Sequence, residues 1–447
     1  MRNFLWSRSI VGALLFAVSL AGSSALPTVG FSQSGPASGR YIVLLKDDVF
    51  DPAQIAAEHG KAHGFKERHV YRHALRGYAA TLPAGAADAI RKRPEVLSVT
   101  EDGEKRLYAV QPPQITSGGV LRIEGDESST RSGDGRGTVN VNVAVVDSGV
   151  PKHVDLNVVG STSCVQAEQG GSINAHGTVV AGLIGALDNK IGVVGIAPGA
   201  RLWSVQVGKS TGTVNDSDLL CGLDWVTATR TDGDPNNDIA VANLSLGGKL
   251  PGKASNGSCA DSPDYPLARA ICGAIAAGVV IVAAAGNASE DFQNADPATF
   301  SEVLTVTAIA DFDGQPGGLA RTDCVGNEGI VDDKAANFSN FATLPEDKAH
   351  TVAAPGVCLR STVPFDSYSG GLAGTSFSAP LVSGVVALCI ATGHCAGLTP
   401  QEIVAKIVAD AAAYNAMKKN SGYGFEGDPL RPIPGEYYGY LISAALY

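Results

Sequence analysis

The chain is short of basic charge. Its 33 lysines and arginines are outnumbered by 44 aspartates and glutamates, giving a formal net charge of −11 over 447 residues. That argues against nucleic acid, which asks for a basic face, and against an anionic membrane surface. Long apolar runs are also missing. Beyond the N-terminus the longest, Ala274 to Ala285, is broken by Gly278 and reads as a buried strand, not as the roughly 20 residues a spanning helix needs. No two cysteines stand as C-x-x-C, so the usual zinc-site spacing is absent. Gly 54 and Pro 23 fall below the level of low-complexity chains. No internal repeat of about 20–50 residues is visible. Disordered, collagen-like and coiled-coil classes are excluded, while 45 % hydrophobic content supplies ample core.

What is present is unevenly distributed. Residues 40–110 hold 12 basic and 10 acidic residues, whereas those after 110 hold 19 basic and 34 acidic. All eight cysteines lie in the second part. The N-terminus has the form of a secretion signal: Arg2 and Arg8, an apolar run from Ile10 to Ala21, then the small residues Ser23-Ser24-Ala25. In an exported chain an even cysteine count suggests disulfides, although eight allow on the order of a hundred connectivities. Pairing of neighbours would give 164–221, 259–272, 324–358 and 389–395. The expected division is a signal peptide at 1–25, a linker at 26–39, a small unit at 40–110, a large domain at 111–412 and an extension at 413–447.

Within 40–110 the pattern reads strand (Tyr41–Leu45), helix (after Asp51), strand (Gly77–Leu82), helix (Ala86–Arg91) and strand (Val96–Thr100). With room for another strand near Val70, this suits a small α+β ferredoxin-like unit. After residue 138, unbroken apolar strands alternate with helices. That predicts an α/β fold, a parallel doubly wound sheet with helices on both faces, whose chemistry gathers at the carboxyl ends of strands.

Four elements at such ends carry reactive groups. The strand Asn142–Val146 runs into Asp147-Ser148-Gly149. His176 opens a small-residue helix in His176-Gly177-Thr178. Ser376 opens another in Gly374-Thr375-Ser376, where orphan N–H groups favour an anion. The strand from Val279 ends in Gly286-Asn287, whose carboxamide can donate to an oxyanion. Singly, each has a bland reading: a turn aspartate, a satisfied histidine, a serine cap, a turn asparagine. The G-x-S-x-G elbow of esterases does not fit, because position 378 is Ser.

Together, in the order Asp…His…Ser within a parallel α/β domain, these motifs resemble the subtilisin-like (subtilase) serine endopeptidases from about residue 40 to 412. Leu223-Asp224-Trp225-Val226 leans towards the proteinase K branch, and 40–110 resembles the inhibitory prosegment of such enzymes. The resemblance implies Ser376 as nucleophile, His176 as base and Asp147 as its orienter. Asn287 and the Ser376 backbone N–H would form the oxyanion hole. It also implies Ser245-Leu246-Gly247 as a substrate-pairing strand and Ser210-Thr211-Gly212 as the opposing one. Ala284 and Gly286 would wall the P1 pocket, with Ala295 near its base. Departures are Val179, Phe377 and Ser378, where His, Met and Ala are usual; Phe377 bears on packing beside the site. No catalytic cofactor is implied. Structural calcium is, with ligands the sequence does not identify.

The expected protein is a secreted, monomeric zymogen that cleaves peptide bonds broadly, with polypeptides and its own prosegment as partners. It would be cut between Tyr108 and Pro112, leaving residues 104–111 as a product tail in the cleft. The competing reading is a non-hydrolytic binding protein on the same scaffold. His59, His63, His69 and His73 pose a further question. They are either incidental, or a buried member among them loosens the prosegment when protonated.

Overall fold

The computed structural model describes residues 39–83, 85–103, 111–165, 174–250, 257–318, 320 and 329–447. The expected leader, most of the linker, the cleavage segment through Tyr108 and Cys324 lie outside them. The chain divides into two compact units, Thr28–Val110 and a second that includes Gln111–Tyr447.

The first unit is a four-stranded antiparallel sheet with two helices. Its strands lie in the order Glu67–Tyr71, Gly77–Leu82, Gly39–Leu45, Val96–Glu101. The strand anticipated near Val70 is thus the edge strand. Asp51 caps the helix Pro52–His63 by accepting from the N–H groups of Ala53 and Gln54, and Gly64 ends it in a left-handed conformation. One small core, including Val43, Tyr78, Leu82 and Ile90, holds the unit together.

The second unit is built on a parallel sheet. Its order is Tyr440–Leu441, Thr351–Pro355, Leu304–Ala310, Val280–Ala284, Val241–Leu244, Asn142–Asp147, Arg201–Gln206, Val158–Ser163, with Lys334–Ala335 pairing antiparallel to Leu304–Ala310. Alternate residues feed opposite cores. Val143 and Val145 pack on the side of helices His176–Gly185 and Thr375–Ala391. Ala144 and Val146 pack towards Asp216–Thr229 and Pro266–Ala276. Both faces are covered, which explains why the strands read as unbroken apolar runs.

The C-terminal segment is part of this body. Tyr440–Leu441 extends the sheet beside Val352 and Ala353, and Tyr438, Leu441, Ile442 and Tyr447 are buried. Disulfides join Cys164–Cys221, Cys259–Cys272 and Cys389–Cys395. The remaining expected pair involves Cys324, outside the described residues. No helix among the described residues is long and apolar enough to cross a membrane.

Candidate active site

Asp147 is the last residue of its strand and is buried. A buried carboxylate needs donors, and it has them. The Ser148 N–H donates to Oδ1 at 2.6 Å, and His176 Nδ1 lies 2.9 Å from both oxygens. An ionised carboxylate only accepts, so Nδ1 carries the hydrogen and Nε2 is left with its lone pair. This approach depends on small neighbours. Gly149 turns the chain away at φ +95°. A Cβ on Gly177 would stand 2.7 Å from the Gly149 oxygen and 3.2 Å from Asp147 Oδ1.

His176 is the first residue of its helix, with 29 % of its side chain exposed. Burial alone would push the imidazole pKa down. The Asp147 charge and hydrogen bond outweigh that and hold it above its ordinary value. The Phe377 ring lies 5.4 Å from the imidazole, tilted by 38°, so the bulkier residue noted in the sequence packs on the histidine itself.

Ser376 lies in the first turn of Thr375–Ala391, behind Gly374 at φ +146°. Gly374, not the serine, is the cap. In this conformer the Ser376 hydroxyl donates to the Ser245 oxygen at 3.2 Å, and the Ser245 hydroxyl returns a bond to the Ser376 oxygen at 2.6 Å. Ser376 is therefore tied to the start of Ser245-Leu246-Gly247. Ser245 is buried and also accepts from Asn243 Nδ2. Leu246 packs against the second core, and Gly247 is exposed.

Asn287 follows the buried Ala284 and Ala285 and the turn at Gly286, φ +107°. Its Oδ1 accepts from both the N–H and the hydroxyl of Thr375, at 2.9 and 2.8 Å. With the oxygen end committed, the amide end points elsewhere; Nδ2 lies 3.5 Å from where a Cβ on Gly374 would stand. Gly286 is itself fixed, donating its N–H to Thr375 Oγ1 at 3.2 Å. Ala295 adjoins a small apolar cluster with Phe292 and Ala298.

Ser210-Thr211-Gly212 departs from the expected strand. Lys209 donates to the Thr213 oxygen and Gly212 to the Lys209 oxygen, both at 2.9 Å, closing a turn with Gly212 at φ +82°. Glycine at the bend and short local bonds win over extension here. The sequence reading gave no role to Ser148, Asn174 and Thr375, which orient the candidate groups; Ser148 and Thr375 stand inside the quoted motifs and Asn174 two residues before His176, the signal that could have found them.

Comparison with known proteins places these elements in context. Residues 138–424 match the subtilase family, and residues 40–108 match peptidase inhibitor I9. The chain is 34 % identical over 304 residues to M-protease of Shouchella clausii (strain KSM-K16), spanning 67 % of this chain and 65 % of that protein, just under two thirds of its length. It is 31 % identical over 395 residues to subtilisin E of Bacillus subtilis (strain 168), spanning 86 % and 89 %. Over 273 residues it is 35 % identical to subtilisin Savinase of Lederbergia lenta, spanning 60 % and 82 %.

Proposed function

The chain belongs to the subtilase family and is a serine endopeptidase carrying an I9 prosegment, a protease zymogen; from that premise we propose that Asp147, His176 and Ser376 perform the hydrolysis, with Asn287 as oxyanion donor. The observation that carries this reading is the His176 imidazole, held through Nδ1 by both Asp147 oxygens with Nε2 left to act as base. Ser376 Oγ turns from the Ser245 oxygen, gives its proton to Nε2 and attacks the scissile carbonyl carbon. The resulting oxyanion is met by Asn287 Nδ2 and by the Ser376 N–H, one of the first-turn donors without an intrahelical partner. Collapse expels the amine, which takes the proton from Nε2. Water then hydrolyses the acyl-enzyme by the same base.

The peptide pairs by its backbone with Ser245–Gly247, so sequence preference is broad. Ala284 and Gly286 wall the P1 pocket. The enzyme is exported, and cleavage between Tyr108 and Pro112 frees the mature form while the prosegment stays bound as inhibitor. A structural cation completes the body. Asp311, Asp313 and Asp332 offer carboxylate oxygens within 4.8 Å of one another, the hard donors calcium prefers. Arg122 Nε already lies 2.8 Å from Asp311 Oδ2; calcium held there would stabilise the loop, with no part in the chemistry.

The test is labelling with a fluorophosphonate, using Ser376→Ala as control. Labelling of the mature wild type but not the variant is expected. A mature protein that does not react leaves the scaffold as a binding module.

A further inference from the structure

Asn174 is 8 % exposed and uses every polar atom its side chain has. Oδ1 accepts the His176 N–H at 2.9 Å. Nδ2 donates to the Ser210 oxygen at 3.4 Å. Its own backbone oxygen accepts the Ser148 hydroxyl at 3.1 Å, and that hydroxyl accepts the Gly177 N–H at 3.0 Å. Ser148 in turn gives its N–H to Asp147 Oδ1 at 2.6 Å. The strand end bearing Asp147, the helix start bearing His176 and the 209–213 turn therefore meet at one residue.

The turn is a stiff unit. Besides its closing bonds, its base is anchored where the Val207 and Gly208 N–H groups both donate to the Asp147 oxygen, at 2.8 and 3.0 Å. Its tip, Thr211 and Gly212, is exposed. Of the bonds through Asn174, the one to Ser210 is the longest and stands at the edge of hydrogen-bonding range. The others are of ordinary length and hold His176 against Asp147. The slack in the network lies on the side facing the turn.

We infer that Asn174 is a positioning residue that couples the 209–213 turn to His176, so that a peptide engaging the turn tightens the placement of the base. The inference rests on 210–212 being substrate-binding, as the subtilase resemblance implies, although the segment forms a turn and not a strand. Energy from substrate residues remote from the scissile bond is then spent on orientation, and appears in kcat as well as in KM. Hydrogen bonds of a catalytic site are often long before substrate binds and tighten in the complex.

The experiment measures kcat and KM for a series of substrates with one fixed P1 residue, from a single-residue ester to a tetrapeptide. The enzyme is the self-matured product of the full chain, counted by fluorophosphonate titration so that only folded sites enter. In the wild type kcat rises with length. Asn174→Ala should lower kcat for the tetrapeptide by about 10- to 100-fold, the scale of a small misplacement, and for the single-residue ester by less than about 3-fold. Asn174→Asp keeps an acceptor for the His176 N–H but has no N–H for Ser210, and should lose the length dependence in the same way. Equal losses on short and long substrates would mean a merely structural asparagine and overturn the inference. So would an Asn174→Asp enzyme with wild-type length dependence. A wild type that labels and hydrolyses but shows no rise in kcat with length overturns both the coupling and the assignment of the turn to substrate, while leaving Asp147, His176 and Ser376 in place.

Discussion

The small unit and the body use the same kinds of residue under different constraints. The 40–110 unit has no cysteine and a single small core. Its described charged pairs include the exposed Arg91–Asp88. The body covers its sheet on both faces and is stitched by disulfides. It also buries an ionic knot, in which Arg122 reaches Asp311 and Asp333 at 2.8 and 2.6 Å and donates to the Gly424 oxygen at 2.9 Å. A domain of that small size buries a lower fraction of its surface and is marginal. The difference suits a part that is to be discarded and a part that must persist.

The prosegment does bury a histidine. His59 is 2 % exposed, while His69 and His73 are exposed. His59 Nε2 lies 2.9 Å from Glu95 Oε1, and Nδ1 lies 2.7 Å from the Tyr78 hydroxyl. Partial burial would raise Glu95, but hydrogen bonds from His59 and Arg93 hold it down to about 2. A depressed carboxyl contributes stability that is present above its unfolded range and lost as pH falls through the folded value. Mild acid therefore leaves the Glu95 carboxylate charged.

Four measurements sharpen or break the contrast. Ser376→Ala should abolish peptide hydrolysis by about 10⁶-fold, a magnitude that comes from subtilisin in this same family. The uncut chain should then unfold in two transitions, the prosegment at the lower temperature; a single transition would erase the contrast. Asp147→Asn should cost about 10⁴-fold in kcat. Because Asp147 holds His176 above its ordinary range, the wild-type acid limb of kcat/KM should lie above about pH 6.5, and the variant's should move down. Asn287→Ala should lower kcat by about 10²–10³, again a range drawn from subtilisin, with KM nearly unchanged; a pure KM effect would remove Asn287 from the oxyanion role. Glu95→Gln, placed in the Ser376→Ala chain, should destabilise the prosegment by about 1.5–3 kcal/mol near neutral pH. That difference should shrink as pH approaches 2, and the body transition should not move.

Much of the body was legible because its strands carry their own signal. Asn142–Asp147 and Val280–Ala284 are uniformly buried, and a continuous apolar run ending in a polar residue marks a central parallel strand with a group at its tip. Very short strands gave no such signal. Tyr440–Leu441 contributes only two residues to the sheet, too few for any period, and exists because the Thr351–Pro355 edge is open to receive it. The 209–213 segment reads as extended by analogy, yet Gly212 and two local hydrogen bonds close it into a turn.

The sequence by itself determined the covalent inventory of the candidate site. Asp147, His176, Asn287 and Ser376 stand at strand ends and helix starts, and local propensity with binary patterning places them there. Only the tertiary structure decided what each group faces. That His176 Nδ1 meets both Asp147 oxygens, that Thr375 claims the Asn287 oxygen, and that His59 meets Glu95 all depend on contacts between residues far apart in sequence. Whether a buried polar group carries a cost or does work depends on its partner at about 3 Å. A one-dimensional pattern reports burial without naming that partner.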